Sequence, residues 1–288
     1  MDRFGGRLIA GLIAGASALA AGGASAAEPK DWQLGFQDAA TPVMEQIDSL
    51  HNLLLPIITV VCVLVLALLV YVMVRFNSRA NPTPSRTSHN TLIEVVWTVV
   101  PILILVVIAV PSLRLLYFQD VIPEAELTIK TTGYQWYWGY EYPDNGGFDF
   151  LSIMLSDDEA VEKGLPRKLA TDTQVVVPVD TVVKLQVTAA DVIHNWAMPA
   201  FGIKMDAVPG RLNETWFKAQ REGTFYGQCS ELCGVNHAFM PIMVKVVSKE
   251  NFEKWAAAAQ DDLEAANKLL AELEAAQPQK VAATDRAN

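Results

Sequence analysis

Two long apolar stretches dominate the first half of the chain. Residues 53–74 contain no charged side chain, and a second apolar run covers residues 92–113. Each run is long enough to cross a bilayer as one helix, which takes about 20 residues. The prolines of the second run, Pro101 and Pro111, are compatible with a membrane helix because neighbouring groups can satisfy the freed carbonyls. The pattern therefore predicts a two-helix transmembrane hairpin.

Short strand-like segments follow the hairpin. Residues 125–132 and 183–187 alternate apolar and polar side chains, which predicts strands with one buried face. Residues 173–177 are β-branched without alternation, as is typical of a fully buried strand. Two more strands are predicted over residues 137–142 and 242–247. Short strands separated by turn residues, without helical runs between them, indicate an all-β sandwich or barrel.

The two ends of the chain differ from its middle. Arg3 and Arg7, an apolar core and a small-residue site predict a secretory signal peptide at the N-terminus. Residues 156–167 are charged and predict a surface excursion, and residues 251–277 predict one surface helix, since they are rich in Ala, Glu and Leu. The predicted division is a signal peptide (1–26), an N-terminal segment with the hairpin (27–118), an extracytoplasmic β-domain (119–250), and a C-terminal helix with its tail (251–288).

Charge places the hairpin in the membrane. The loop between the apolar runs carries Arg75, Arg79 and Arg86 and no carboxylate, so we expect it in the cytoplasm. Both flanks of the hairpin then lie outside. Over the whole chain, 51% of residues are hydrophobic, the mean hydropathy is +0.23, and the formal net charge is −10. This charge excludes a basic nucleic-acid footprint and favours a basic partner, because complementary charge speeds encounter.

A cluster of soft metal ligands lies late in the β-region. Cys229, Cys233, His237 and Met240 fall close together, and His194 lies upstream. Thiolate, thioether and imidazole ligands together select copper over hard cations. Cysteines four positions apart can also bridge a pair of metal ions, with each ion capped by one histidine. The residue types therefore predict a copper site.

Two other interpretations of this cluster compete. In an oxidising compartment Cys229 and Cys233 can form a disulfide, but a disulfide explains neither Met240 nor the histidines. A zinc site of two cysteines and two histidines is the stronger competitor. The C-x3-C-x3-H-x2-M spacing departs from the usual zinc pattern, and methionine is a poor zinc ligand. The remaining cysteine, Cys62, is predicted to be a small packing residue in the first apolar run.

The full C-S-E-L-C-G-x-x-H-x-x-M string resembles the CuA motif of cytochrome c oxidase subunit II. The resemblance covers nearly the whole chain after residue 26. It implies a membrane-anchored all-β fold, in which a two-helix hairpin carries a cupredoxin-like Greek-key β-barrel. It also implies that Cys229 and Cys233 bridge two copper ions. The implied copper ligands are His194, Cys229, the carbonyl oxygen of Glu231, Cys233, His237 and Met240.

The same resemblance implies roles for residues outside the copper ligands. Trp136 is implied to receive electrons above the copper centre, within an aromatic segment that otherwise indicates core packing. The Glu231 side chain is implied to help hold a magnesium ion shared with subunit I, although it can equally be a surface acid. Glu94 is implied to lie near the mouth of a proton-uptake route, although it can simply reach water. The acids implied to dock cytochrome c are Glu141, Asp149, Asp172 and Asp191.

The family resemblance therefore implies an electron-accepting oxidase subunit in the bacterial inner membrane. Its implied partners are subunit I, other oxidase subunits, cytochrome c and membrane lipid, and both mature termini lie in the periplasm with the copper domain. Electrons would pass to haem in subunit I, where oxygen is reduced and protons are pumped. A quinol oxidase subunit would lack the copper ligands, and a copper carrier would not need Trp136, Glu94 or Glu231. The 288 residues leave no room for the second domain of a nitrous oxide reductase.

Overall fold

The computed structural model describes residues 27–276. The predicted signal peptide and the tail after Ala276 lie outside the described residues. Two long helices come first, a β-domain follows, and two helices come last. The helices are α1 (Pro42–Arg75), α2 (Thr91–Asp120), α3 (Asp157–Glu162), α4 (Lys249–Ala259) and α5 (Leu263–Ala276). The strands are β1 (Leu127–Tyr134), β2 (Tyr137–Tyr142), β3 (Phe148–Ser152), β4 (Val175–Pro178), β5 (Val182–Ala189), β6 (His194–Met198), β7 (Ile203–Ala207), β8 (Asn213–Lys218), β9 (Gly223–Cys229) and β10 (Pro241–Val247).

Helices α1 and α2 form the predicted hairpin. Both are long and apolar enough to cross a membrane. Their apolar side chains are largely exposed, as expected for surfaces that face lipid rather than a protein core. Both helices extend beyond the predicted apolar runs. Helix α1 begins at Pro42 because the Thr41 hydroxyl accepts the backbone N–H of Met44 at 3.1 Å and caps the helix. The apolar runs mark only the part of each helix that suits lipid.

The ten strands form two five-stranded sheets. Their orders are β3-β2-β1-β5-β8 and β4-β10-β9-β6-β7. Strand β1 runs parallel to β5, and β4 runs parallel to β10, whereas the other neighbours are antiparallel. Large side chains from both sheets fill one continuous core, which contains Trp138, Trp196, Phe217 and Phe225. The predicted fold class, a helix hairpin followed by an all-β cupredoxin-like domain, is confirmed.

Five of the ten strands were predicted from the sequence. All five predicted strands are present, within about two residues of their predicted ends. The residues of β4 are all buried, as the uninterrupted β-branched run predicted. Strands β3, β6, β7, β8 and β9 were not predicted: β3 and β7 are only five residues long, and polar or glycine residues interrupt the alternation of β6, β8 and β9. In β6, for example, His194 and Asn195 are buried although both are polar.

The prediction of one C-terminal helix is wrong. The segment forms two helices, α4 and α5, which pack against each other. The Asp262 carboxylate accepts the backbone N–H of Ala265 at 3.0 Å, which starts a new helix after a break. Trp255 of α4 is fully buried, with its ring 5.4 Å from that of Tyr142 and 5.7 Å from that of Phe148. The two helices therefore cover one end of the core.

The hairpin is fastened to the β-domain at its outer end. The Thr41 hydroxyl donates to the carbonyl of Phe201 at 2.7 Å, and the Ala40 N–H donates to the carbonyl of Ala200 at 2.9 Å. On the other helix, the Phe118 ring of α2 meets the Trp216 ring of β8 edge to face at 5.4 Å. Contacts on both helices fix where the β-domain stands above the membrane.

Candidate metal centre

The predicted copper ligands come together at one end of the second sheet. His194 is the first residue of β6, and Cys229 is the last residue of β9. Cys233, His237 and Met240 lie in the loop that joins β9 to β10. Strands β6 and β9 are neighbours, with Trp196 paired to Cys229, so the sheet brings His194 beside the loop. Below, this loop (residues 230–240) is called the ligand loop.

The distances between ligand atoms are short. The Cys229 and Cys233 sulfurs are 3.8 Å apart, and Cys229 Sγ lies 4.0 Å from His194 Nδ1. Cys233 Sγ lies 3.6 Å from both His237 Nδ1 and Met240 Sδ. The carbonyl oxygen of Glu231 is 3.4 Å from Cys229 Sγ. Among residues 27–276, His194, Cys229 and Cys233 are the one group of three or more His, Cys, Asp or Glu ligand atoms clustered this closely.

Side chains from the first sheet hold the ligand loop in place by hydrogen bonds to its main-chain carbonyls. Gln135 Nε2 and Trp136 Nε1 donate to the carbonyl of Cys233 at 3.0 and 3.2 Å. Trp138 Nε1 donates to the carbonyl of Met240 at 3.2 Å. These donors belong to the β1–β2 hairpin, so the aromatic segment has a second role besides core packing. Its indole N–H groups fix the backbone on which the ligands are mounted.

Glycine permits the close approach of these parts. A Cβ atom at Gly133 would lie 2.8 Å from the His194 ring. Gly234 has a φ of +125°, and a Cβ atom there would lie 2.8 Å from Trp136 Cζ2. Any larger residue at either position would push a ligand residue or its support out of place.

Asp191 fixes the orientation of His194. Its Oδ1 lies 2.9 Å from His194 Nε2, which leaves Nδ1 directed at the Cys229 sulfur. The carboxylate also accepts the backbone N–H groups of Val192 and Gln135, each at 2.7 Å. Such partners set the tautomer and raise the basicity of a metal-binding imidazole. Burial alone lowers the pKa of His194, but its contacts with Cys229 and Asp191 outweigh burial and raise it.

The two thiols differ in their electrostatic surroundings. Burial alone raises the pKa of Cys229, but contacts with the His194 side chain and with backbone groups of Asn195 and Glu231 outweigh burial and lower the pKa. Burial and the adjacent Cys229 raise the pKa of Cys233. A bound metal cation would favour the thiolate form of both cysteines, since thiolates are the form in which sulfur ligates metals.

The donor set fits copper. Two thiolates, two imidazoles, a thioether and a carbonyl converge, and both cysteines are free thiols at a separation well beyond the roughly 2 Å of a disulfide. Met240 Sδ is buried and lies against Cys233, so the methionine belongs to the site, which favours copper over zinc. The residues present would hold copper through these donors.

A substitution separates the two roles that Asp191 can have, docking acid and support for His194. We expect Asp191→Ala to lower copper affinity roughly 10- to 100-fold, because the imidazole loses its orienting partner. Asp149→Ala removes another exposed predicted docking acid, on β3, a strand that carries no predicted ligand, and we expect unchanged affinity. Competition titration with a copper chelator measures both. Equal affinities for the two variants would assign Asp191 to docking alone.

The other predicted docking acids are more widely distributed. Glu141 and Asp149 are cross-strand partners on β2 and β3. Glu141 forms an ion pair with Lys130 at 2.8 Å, and Asp149 is exposed. Asp172 is exposed, but its Oδ1 accepts the backbone N–H groups of Ile153 and Thr173 at 2.8 and 2.6 Å. Two of the four predicted docking acids, Asp172 and Asp191, therefore also hold the local backbone.

The two remaining predicted site residues are glutamates outside the copper centre. Glu231 lies between Cys229 and Cys233 and has an exposed side chain. Its carboxylate belongs to no cluster of metal-binding groups among the described residues. Glu94 lies in the first turn of α2, where its Oε1 accepts the backbone N–H of Asn90 at 3.3 Å. This contact caps the helix on the side where the arginine-rich loop lies.

Sequence reasoning missed the residues that support the ligands. The supporting roles of Gln135 and Trp138 and the contact between Asp191 and His194 were not predicted from the sequence. The last of these has a local signal, because an aspartate three positions before a ligand histidine is close enough to orient its ring. The contacts of Gln135 and Trp138 span about a hundred positions of sequence, so no local pattern records them.

Comparison with known proteins agrees with the site. Residues 29–115 match the family "Cytochrome C oxidase subunit II, transmembrane domain", and residues 127–247 match "Cytochrome C oxidase subunit II, periplasmic domain". A probable cytochrome c oxidase subunit 2 of Rickettsia bellii is 53% identical over 232 residues, which cover 81% of this chain and 86% of that protein. Cytochrome c oxidase subunit 2 of Cereibacter sphaeroides is 46% identical over 273 residues, covering 86% and 90%.

A solved structure is also similar. The periplasmic domain of subunit II of cytochrome oxidase from Bradyrhizobium japonicum is 56% identical, with a TM-score of 0.46, and the match covers 50% of this chain and 99% of that one. The relatives span both the helix hairpin and the β-domain, and the hairpin makes the chain a two-pass membrane protein. The chain belongs to the cytochrome c oxidase subunit II family and is thus a component of a haem-copper oxidase complex.

Proposed function

We propose that this chain is the electron-accepting subunit of its oxidase, and that it takes electrons from cytochrome c at a dinuclear copper centre. The observation that carries the proposal is the convergence of the ligand atoms of His194, Cys229, Cys233, His237 and Met240. A thiolate-bridged copper pair, when bound, takes up and releases one electron with little change in its ligand geometry. The chain's own residues supply a fixed frame for that chemistry.

The ligand residues are held rigidly because they are buried and contact supporting side chains. His194, Cys229, Cys233 and Met240 are all buried. His194 is held by Asp191 from one side, and its ring lies 5.9 Å from that of Trp138. Ligands with locked rotamers stay in place when the charge of the site changes, so little reorganisation opposes electron transfer. Burial also keeps water from the sulfurs.

Trp136 offers the route by which an electron reaches the centre. Its ring is half-buried, so one edge is accessible to a docked donor. Its Nε1–H donates directly to the carbonyl of Cys233, whose sulfur is a copper ligand. A single hydrogen bond therefore links the accessible ring to the ligand residue.

The substitution of Trp136 tests this proposal. We expect Trp136→Leu to slow reduction of the copper centre by cytochrome c by at least about 100-fold, because both the ring and its hydrogen bond are lost. Trp136→Phe keeps an aromatic ring and should retain a larger part of the rate. Stopped-flow reduction of the whole oxidase measures the rates, and the paramagnetic resonance spectrum checks that the copper pair is intact. An unchanged rate in the leucine variant, with the copper pair intact, would contradict the role of Trp136. Absence of a copper pair from the unmodified oxidase subunit would contradict the proposed function itself.

The acidic surface supports docking of a basic donor. The net charge is −10, and Glu141, Asp149, Asp172 and Asp191 contribute to the charge of the β-domain. Rim charges of this kind act on the rate of encounter and on its dependence on salt. The Lys130 ion pair partly neutralises Glu141, so Asp149 is the acid of this neighbouring pair that offers a free charge.

The remaining parts of the proposal follow the family. We propose that the arginine-rich loop faces the cytoplasm, and that the β-domain lies in the periplasm of a bacterial inner membrane. The proposed division is a signal peptide (1–26), the hairpin segment (27–118), the copper domain (119–250) and the C-terminal part (251–288). Subunit I would receive the electron, contribute the other ligands for magnesium beside Glu231, and receive protons by a route near Glu94. The exposed Glu231 side chain is free to reach such a partner.

A further inference from the structure

A loop before the first helix projects from the β-domain. Residues 28–39 form this N-terminal loop, and both of its ends are tied to the domain. At one end, the Ala27 N–H donates to the carbonyl of Thr224 at 3.0 Å. At the other end, Ala40 donates to the carbonyl of Ala200 and accepts the N–H of Gln220, both at 2.9 Å. The loop must therefore leave the domain and return to it.

The loop reaches the level at which α1 meets the lipid. The Phe36 ring lies against that of His51, with the ring centroids 4.8 Å apart. Asp48 is the last charged residue before the charge-free run of α1, which begins at residue 53. At a rise of about 1.5 Å per residue, His51 lies only about 3 Å from the start of that run. Phe36 therefore lies beside the part of α1 at which the charge-free run begins.

The part of the loop around Phe36 presents large apolar side chains. Trp32 is 96% exposed, Leu34 is fully exposed, and Phe36 is 46% exposed. The Gln33 side chain holds this part of the N-terminal loop together. Its Nε2 donates to the carbonyl of Phe36 at 2.6 Å, and its Oε1 accepts the N–H of Lys30 at 3.2 Å. Three exposed apolar side chains within five residues leave more apolar surface open than a loop in water normally carries.

We propose that the N-terminal loop is a membrane anchor, whose Trp32, Leu34 and Phe36 side chains enter the headgroup region of the leaflet on the β-domain side. Tryptophan is enriched at this depth of a membrane, where its ring meets acyl chains and its N–H meets polar groups. The charged side chains of Lys30 and Asp38 lie 3.7 Å apart, one on each side of the three apolar residues, and Asp31 directly precedes Trp32, so the loop suits the polar headgroup region rather than the acyl chains. The anchor gives the β-domain a third point of attachment to the membrane, besides α1 and α2.

Photo-crosslinking in the whole oxidase tests the anchor. Trp32 and Leu34 are each replaced by p-benzoylphenylalanine, and the complex is irradiated in native membranes. Val161, a residue of α3 in the β-domain that is 63% exposed, receives the same replacement as an exposed apolar control outside the N-terminal loop. The mass of the isolated subunit is then measured, and the absorption of the copper centre checks that each variant has assembled.

Each outcome decides the question. We expect positions 32 and 34 to gain the mass of one phospholipid, with a yield several-fold above that at position 161. A product with the summed mass of two oxidase subunits would show that protein covers the loop, and it would overturn the proposal. Yields equal to that of the control at both positions would show that the loop faces water, which would overturn it as well. Neither result depends on whether the copper centre accepts electrons from cytochrome c.

Discussion

Replacing Cys229 with serine is expected to abolish the copper centre. The Cys229 sulfur lies within 4.0 Å of the ligand atoms of His194 and Cys233 and 3.4 Å from the carbonyl oxygen of Glu231, so three other predicted ligands meet at this atom. A serine hydroxyl stays protonated and is a hard donor, which suits copper poorly. We expect copper affinity to fall by more than about 100-fold, which exceeds the effect of losing a supporting residue. Cytochrome c oxidation by the complex should be lost with it.

The control for this experiment is another cysteine. Cys62 is an exposed thiol in the membrane-spanning part of α1, far along the chain from the ligands, so Cys62→Ser should retain copper. Metal analysis and paramagnetic resonance on the purified oxidase read out both variants. If Cys229→Ser retained a copper pair with the same spectrum, the assignment of the bridging ligands would be wrong.

Replacing Gly227 with alanine is expected to have the largest effect on folding. Gly227 lies in β9, and a Cβ atom there would be only 2.0 Å from the carbonyl oxygen of Ala197 in β6. Main-chain atoms cannot rotate away, so the two strands must separate. Overpacking in a core costs about 1–3 kcal/mol and occasionally more, and we expect about 3 kcal/mol of lost stability at this position. Because β6 carries His194 and β9 carries Cys229, copper affinity should fall in parallel.

A second glycine provides the comparison. Gly35 has no atom within 4 Å of an added Cβ, so Gly35→Ala should leave the stability of the β-domain unchanged. Thermal unfolding of the two variants, each with and without copper, measures the difference. A Gly227→Ala protein that unfolded at the same temperature as Gly35→Ala would mean that β6 and β9 can move apart at no cost.

The sequence predicted the parts of this molecule that have a local signal. The charge-free run of α1 and the alternation of β1 each report one environment along consecutive residues, and both were found. The ligand side chains were identified because four of them, Cys229, Cys233, His237 and Met240, fall within twelve consecutive residues. By contrast, β6 was missed, since its first two residues, His194 and Asn195, are polar although both are buried. The break between α4 and α5 was missed because Asp262 caps the second helix inside an otherwise helical composition.

The hydrogen bonds that support the ligand loop could not be predicted from local sequence patterns, for a different reason. The indole of Trp138 reaches the carbonyl of Met240 across the interface of the two sheets. Whether a tryptophan in a strand fills a core or donates a hydrogen bond depends on the backbone opposite it, which only the packed fold supplies. The sequence therefore predicted which residues bind metal better than it predicted how they are held.

The hydrogen bonds from Gln135, Trp136 and Trp138 all end on main-chain oxygens of the ligand loop. Every residue type has such an oxygen, so apart from Gly234 this support does not depend on which side chains the loop carries. Shape and chemistry are consequently largely separable in this domain: the hairpin opposite sets the path of the loop, and the side chains of the loop supply most of its metal preference. A loop of the same length with other ligand residues should keep its course, which makes the domain a suitable scaffold for exchanging one metal site for another.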